Sequence, residues 1–439
     1  MDGVTGIGCK ADDKTSSCYP NRDRRGAPEK EAPRTLRVRP DMRFAQAIMH
    51  NGGDAMKRCY QCATCSVVCS LSPTNKPFPR KEMLWAQWGL KEELVSDLGL
   101  WLCHGCGDCS THCPRGAKPS EALAAMRASV IAELSFPHAI AKAVQNPVRC
   151  LLLMMVPSSV LAAAMLWEGT LRVHPGPVVW SKFMPHSALF EGLFFGLMGW
   201  GVLVGAVGVV RLWRRMALVH PVVERSLVVP VWKALLCVLV DLALHRRFGS
   251  CEQNRHRKYA HALTVFGFLA AMLTAGGGAV LENGFGITSP LPNPDAPPWA
   301  YGVGVALKVI GVLGAVGLVG GAGWMVSRRL FRRDEDGTSS FFDGVFLAVL
   351  LATGVSGSLV YVMRLLECGA VGYPLFFVHL SLVAFLLSTM AYTKFAHVFY
   401  RTAAMTFALH VGRGPRAVRN GSTFSSLLVQ CAPHVAEDT

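Results

Sequence analysis

Charged side chains are scarce in this chain of 439 residues, at 17%, and acidic ones scarcest, with 29 Asp and Glu against 44 Lys and Arg. Together with 51% hydrophobic residues and a mean hydropathy of +0.33, this excludes a chain that is soluble throughout and implies a membrane-bound part. The first forty residues contain no apolar run, so no cleavable signal is expected, and residues 1–44 read as a polar, disordered arm. No G-x-G-x-x-G stands between a strand and a helix, which excludes dinucleotide binding by that fingerprint. The glycines from Gly302 to Gly323 read instead as close helix packing. Seven of the fifteen cysteines are scattered, Cys9 and Cys18 among them, and are expected to be free thiols rather than a disulfide framework.

The other eight cysteines form two runs, Cys59, Cys62, Cys65, Cys69 and Cys103, Cys106, Cys109, Cys113, the second followed by Pro114. Each reads C-x2-C-x2-C-x3-C, the ferredoxin spacing in which three thiolates take three irons of one [4Fe-4S] cube and the fourth reaches the other cube. Cys59, Cys62, Cys65 and Cys113 are thus expected on one cluster, and Cys103, Cys106, Cys109 and Cys69 on the second. Zinc fits less well, because its tetrahedral sites use paired knuckles and four ligands in all. Segments 78–98 and 121–134 read as helices beside the clusters, so 45–140 is expected to be a helical two-cluster domain. His104 and His112 lie within the second run, but eight thiols already satisfy both cubes.

Apolar stretches near the ~20 residues that a bilayer requires run at about 148–167, 188–210, 259–281, 301–326, 341–363 and 374–399. The fold class is therefore mainly α, with a six-span transmembrane helix bundle at 141–400 and a tail at 401–439. Pro230, Lys233 and Asp241 interrupt 226–244, which reads as an interfacial helix. Basic residues crowd the connections on the side of the cluster domain, as in Arg211, Arg214, Arg215, Arg246, Arg247, Arg328 and Arg329, and are few on the other side. The positive-inside rule then puts the cluster domain and tail in the cytoplasm, within a multi-pass inner-membrane protein. The net charge of +15 is accordingly read as topology rather than as a nucleic-acid footprint.

Four membrane histidines make the second constellation. His379 and His397 are eighteen residues apart, five turns of one helix, which sets them on one face ~27 Å apart. Ionisable residues in spans are costly and usually functional, and this register suggests axial ligands to two stacked b-type haems. His186 is the partner expected for His379 and His261 for His397. His256 and His174 are weaker rivals, and His220, His245 and His410 are expected to bind nothing. For a quinone proton the candidates are Glu168, Glu191, Glu282 and Glu367 at span ends, and Lys308 inside the fourth span.

The two cysteine runs joined to a multi-span haem domain resemble the fused iron-sulfur and cytochrome b subunits related to heterodisulfide reductase. More narrowly, Phe78-Pro79-Arg80-Lys81-Glu82-Met83, Trp101-Leu102-Cys103-His104-Gly105-Cys106-Gly107-Asp108-Cys109 and His245-Arg246-Arg247-Phe248-Gly249-Ser250-Cys251 are similar to the C-subunit family of quinone-interacting membrane-bound oxidoreductase (Qmo) complexes. The eighteen-residue histidine spacing is also similar to that of the respiratory nitrate reductase cytochrome b subunit, although Gly196 stands where that protein has a second histidine. The resemblance implies an electron-transfer subunit of a menaquinone-linked oxidoreductase. Its implied partners are cytoplasmic flavin- and iron-sulfur-containing subunits and, through them, adenylylsulfate reductase in sulfur metabolism. Alternatives are a heterodisulfide- or sulfite-reductase-associated cytochrome subunit, or a membrane anchor without redox chemistry.

Overall fold

A computed structural model describes residues 39–73, 76–174, 178–185, 187–220, 228–246, 255–287, 291–331 and 340–412. Most of the arm, the tail beyond 412 and His186 lie outside these residues. Every regular element described is helical. The cluster part begins with α1 (Met42–Ile48), α2 (Thr64–Val68), α3 (Arg80–Gln87) and α4 (Lys91–Ser96), and continues with α5 (Gly99–Leu102), α6 (Asp108–Thr111), α7 (Pro119–Leu134) and α8 (His138–Val144). Pro119 opens α7, where a missing N–H costs nothing, and the helix buries Leu123, Met126, Val130, Ile131 and Leu134 as the central rod of this part.

Helices long and apolar enough to cross a membrane follow, by length and composition: α9 (Pro147–Trp167), α11 (Ala188–Val219), α13 (Arg255–Phe285), α14 (Pro298–Phe331), α15 (Phe341–Leu365) and α16 (Gly369–Thr389). Only 11–39% of their most apolar windows is buried within the protein. In water such surfaces would drive association; a hydrocarbon layer accepts them. Two shorter helices lie between spans, α10 (Trp180–Phe183) and α12 (Val231–Ala243). At 13 residues, α12 reaches about 20 Å, short of the ~30 Å core.

Helices α13 and α14 approach through small residues. A Cβ on Gly314 would meet Ala270 Cβ at 2.6 Å, and one on Gly321 would meet Ala260 O at 2.7 Å. These glycines serve backbone contact between helices, as the sequence suggested.

The last span departs from expectation. Helix α16 ends at Thr389, the chain turns through 390–395, and α17 (Ala396–His410) starts anew. His379 and His397 therefore lie on different helices, and the five-turn register does not hold. The cause is a polar cluster claimed by tertiary partners: the Tyr392 hydroxyl donates to Phe136 O at 2.7 Å, and Lys394 pairs with Asp343 at 2.9 Å. In their place the backbone makes i to i+3 turns, such as Tyr392 N to Thr389 O.

One apolar core joins the cluster part to the membrane helices, with Trp101 and Ile131 packed with Leu212, Tyr400 and Phe407. Polar ties reinforce it. Ser135 Oγ donates to Ala391 O at 3.2 Å, and Arg211 donates to Leu134 O at 3.1 Å.

Candidate iron-sulfur and histidine sites

The eight thiols divide between two cavities. The first is lined by Cys59, Cys62, Cys65 and Cys113; the second by Cys69, Cys103, Cys106 and Cys109. In each, three thiols come from one run and the fourth from the other. Among the described residues no three His, Cys, Asp or Glu side chains converge as ligands of a single ion.

Both triplet loops use the same backbone device. The second and fourth residues after the first cysteine are left-handed: Gln61 and Ala63 in one loop (φ 60° and 68°), Gly105 and Gly107 in the other (φ 63° and 96°). Only the second loop spends glycine on them. The non-glycine residues of the first cost roughly 1–2 kcal/mol each, strain that a metal-bound loop is suited to hold. The turns also aim donors at sulfur: Gly105 N–H reaches Cys103 Sγ at 3.4 Å, Ala117 N–H reaches Cys113 Sγ at 3.3 Å, and Gln61 Nε2 reaches Cys59 Sγ at 3.5 Å. Burial, with Cys103 and Cys106 adding to it, pushes the Cys109 thiol well up, so its thiolate calls for positive charge supplied by bound metal. This donor set fits iron-sulfur ligation.

A buried charge triad supports the second loop. Lys81 stands 2.6 Å from Glu82 and 2.7 Å from Asp97, and Asp97 accepts Leu100 N–H at 2.7 Å, ahead of Trp101 and Cys103. One ammonium thus faces two carboxylates. Burial first, then Asp97, pushes Glu82 up to about 8 against the opposing pull of Lys81. Folded Glu82 keeps its proton up to about pH 8, whereas the unfolded group loses it near 4.5, so stability declines as pH rises through that window. Glu82→Gln is expected to flatten that decline, raising the thermal midpoint at pH 8 by roughly 2–4 °C relative to wild type. Circular-dichroism melts across the window check it; equal slopes for both proteins would refute it.

The histidines have defined tautomers. Ser356 Oγ–H donates to Thr353 O at 3.1 Å, so the 3.0 Å contact between Ser356 Oγ and His379 Nδ1 has the ring as donor. His379 then carries its proton on Nδ1 and its lone pair on Nε2. The same reasoning applies to the pair on the other side. His245 Nδ1 faces Ala243 O at 3.1 Å and must donate there, so its Nε2 accepts from His261 Nδ1 at 3.0 Å. With neutral rings, His261 also presents an Nε2 lone pair. An imidazole held at Nδ1 with Nε2 presented is the form metal-ligating histidines take.

His245, expected to bind nothing, is brought by the fold into hydrogen-bond contact with His261. It is buried, at 6% exposure, on a left-handed backbone (φ 49°) after α12. It lies outside every apolar span, so periodicity gave no sign of it; its only signal was the motif 245–251. His397 packs against Trp101, ring centroids 6.0 Å apart, and Trp101 contacts Tyr400 at 5.2 Å. Arg401 donates to Cys103 O at 2.6 Å and Arg257 to Gly105 O at 3.2 Å, so α17 and α13 grip the second thiol loop directly. The proton candidates are less distinctive. Glu168 accepts from Ser187 at 2.7 Å, and Lys308 lies over the Tyr361 ring at 5.9 Å.

Residues 144–417 match the family model for citrate utilization protein B. The chain belongs to the citrate utilization protein B family. Within the same chain, residues 55–117 match a 4Fe-4S dicluster domain, so the two cavities belong to a domain that carries two [4Fe-4S] clusters. The family's citrate utilization protein B of Escherichia coli is 26% identical over 341 residues, covering 72% of this chain and 83% of that protein. Over the cluster part, the chain is 38% identical across 79 residues to the C-subunit of the H(2):CoB-CoM heterodisulfide,ferredoxin reductase of Methanothermobacter thermautotrophicus. It is 33% identical across 88 residues to a protein of Archaeoglobus profundus described as like the C-subunit of heterodisulfide reductase. The chain spans 42% and 47% of those two relatives. No solved structure matches the chain.

Proposed function

We propose that the chain is the membrane electron-transfer subunit of a menaquinone-linked oxidoreductase, working with cytoplasmic flavin- and iron-sulfur-containing subunits rather than alone. One observation carries the reading: Trp101 packs on His397 at one end and leads through the backbone to Cys103 at the other, so His397, on the helix that follows the last span, adjoins the second thiol cavity. In this reading Cys59, Cys62, Cys65 and Cys113 ligate one cluster, and Cys103, Cys106, Cys109 and Cys69 the other. His261 and His397 hold one b-type haem, and His379 holds a second with His186. Bound haem would supply one-electron carriage between quinone chemistry and the clusters. The protein's own residues do the rest: Ser356 and His245 set the tautomers, and Arg257 and Arg401 fix the second loop to the membrane helices.

The cavity of Cys103 is the membrane-proximal one, and that of Cys62, an exposed cysteine, lies at the outer surface beside exposed Tyr60 and Val67. The partner subunits would dock there. The Qmo reading, serving adenylylsulfate reductase, rests on the motifs around Trp101 and His245. A second reading is favoured by the long match to the Escherichia coli protein, and takes the partner to be an enzyme of citrate utilization. A menaquinol analogue added to the purified protein in lipid nanodiscs is expected to reduce a b-type chromophore and then both clusters, followed by optical and electron-paramagnetic spectra. Clusters that stay oxidised would rule the reading out. Identifying proteins that co-purify with the tagged chain separates the two partners.

A further inference from the structure

The chain around the first thiol cavity carries charge of one sign. Segments 55–81 and 109–120 supply all of that cavity's lining, and they contain seven Lys and Arg and no Asp or Glu. The four carboxylates that flank the two segments have other places. Asp54 lies 2.6 Å from Lys57, Glu82 2.6 Å from Lys81 and Glu121 3.5 Å from Lys118, while Asp108 lines the second cavity. Residues 1–38 hold eight Lys and Arg against six Asp and Glu, so their net charge is also positive. Arg80 and Arg115 line the first cavity itself, and both are exposed.

The same face carries exposed apolar groups. Tyr60 is 70% exposed, and Val67, on the helix that carries Cys65, is 84% exposed. The Arg115 guanidinium lies over the Tyr60 ring at 4.2 Å, which holds the tyrosine in place while it faces solvent. Tyrosine and arginine are the side chains that protein interfaces favour as anchors. Cys62 is exposed on this cavity, whereas Cys103 and Cys109 of the second are buried and their loop is held by α13 and α17. An electron that reaches the first cluster therefore leaves by this face. Its occupant has to bring a redox centre close to Cys62 and match positive charge, which a protein with carboxylates around its own cofactor does and a nucleic acid or lipid does not.

We infer that Tyr60, Val67, Arg80 and Arg115 form the docking face for a redox protein whose own centre is ringed by Asp and Glu. The inference rests on the cluster assignment of the proposed function and not on its haem or quinone parts. The test uses the full chain in phosphatidylcholine nanodiscs, with acidic plant plastocyanin and basic cytochrome c as probes, both one-electron acceptors. Binding is measured by biolayer interferometry and, after reduction and removal of dithionite, electron transfer by stopped-flow absorbance. In that transfer a reduced cube loses one electron to the acceptor's copper or iron, and no proton moves. Plastocyanin is expected to bind about tenfold more tightly than cytochrome c at low salt and to lose that advantage at high salt. Arg80→Glu with Arg115→Glu is expected to weaken plastocyanin binding and slow its reduction about tenfold or more, with both cluster signals retained. Arg115→Gln alone should give a smaller loss of the same sign. Arg43→Glu with Lys142→Glu, an equal change in charge at exposed positions outside the cavity lining, should change neither quantity. Equal behaviour of the two double variants overturns the inference, as does tighter binding of cytochrome c by wild type. Tenfold tighter plastocyanin binding after removal of residues 1–38 would assign the face to that segment and overturn it as well. Absence of both cluster signals from wild type would instead refute the cluster assignment.

Discussion

Cys69→Ala is expected to abolish the cluster bounded by Cys103, Cys106 and Cys109 and to leave the one bounded by Cys59, Cys62 and Cys65 in place. Iron content should fall by about half, with the loss of one set of paramagnetic signals. The same set should disappear in Cys103→Ala, and the complementary set in both Cys113→Ala and Cys59→Ala. The reason is local. Cys69 leaves α2 in an extended conformation (φ −78°, ψ 115°), which turns its sulfur from the first cavity into the second, where Phe78 and Leu123 form part of the wall. Cys113 makes the reciprocal crossing, and its sulfur accepts Ala117 N–H beside the first cavity. If Cys69→Ala erased the signal that Cys59→Ala erases, crossed ligation would be refuted and each run would hold its own cube.

The second large effect concerns the histidines. His397→Ala and His261→Ala are each expected to remove the same one of two b-type components from reduced-minus-oxidised spectra, and His379→Ala the other, because an iron that loses an axial imidazole loses its low-spin spectrum. The supporting residues should act more mildly. His245→Ala and Ser356→Ala free the Nδ1 of their partner rings and are expected to weaken haem retention about 10–100-fold without abolishing it. Gly357 offers an independent check. A Cβ there would stand 2.9 Å from His379 Cε1, so Gly357→Ala should disturb the component assigned to His379 and spare the other. Titrating bound haem by the pyridine haemochrome method measures these outcomes. Both components surviving in His397→Ala would eliminate the axial assignment and leave that histidine a packing residue for Trp101.

The cluster part was legible because its chemistry is encoded at short range. Three cysteines at fixed spacing on one loop need no tertiary information to be recognised, and the crossed division of the fourth is a property of the spacing itself. The helix at 119–134 was equally visible, and so were the six apolar helices, because length and hydropathy are local quantities; segment 78–98, read as one helix, divides into α3 and α4 at Gly89, whose backbone is left-handed (φ 64°). The register argument for His379 and His397 failed for the opposite reason. No proline or glycine marks 390–395, and the helix stops because Tyr392 and Lys394 bond to Phe136 and Asp343, residues distant in sequence. The contact of His245 with His261 was invisible on the same ground, because it exists only where α13 brings the two rings together.

By itself, then, the sequence determined the iron-sulfur chemistry, the helical class and the number of apolar helices, since each depends on spacing or composition within one segment. Only the tertiary structure decided which thiol cavity adjoins the membrane helices and which nitrogen of His261 and His379 carries the proton. Those are settled by contacts between segments far apart in the chain, in which a single hydrogen bond at 3.0 Å chooses a tautomer and a cluster of buried polar groups outweighs the helical preference of an apolar run.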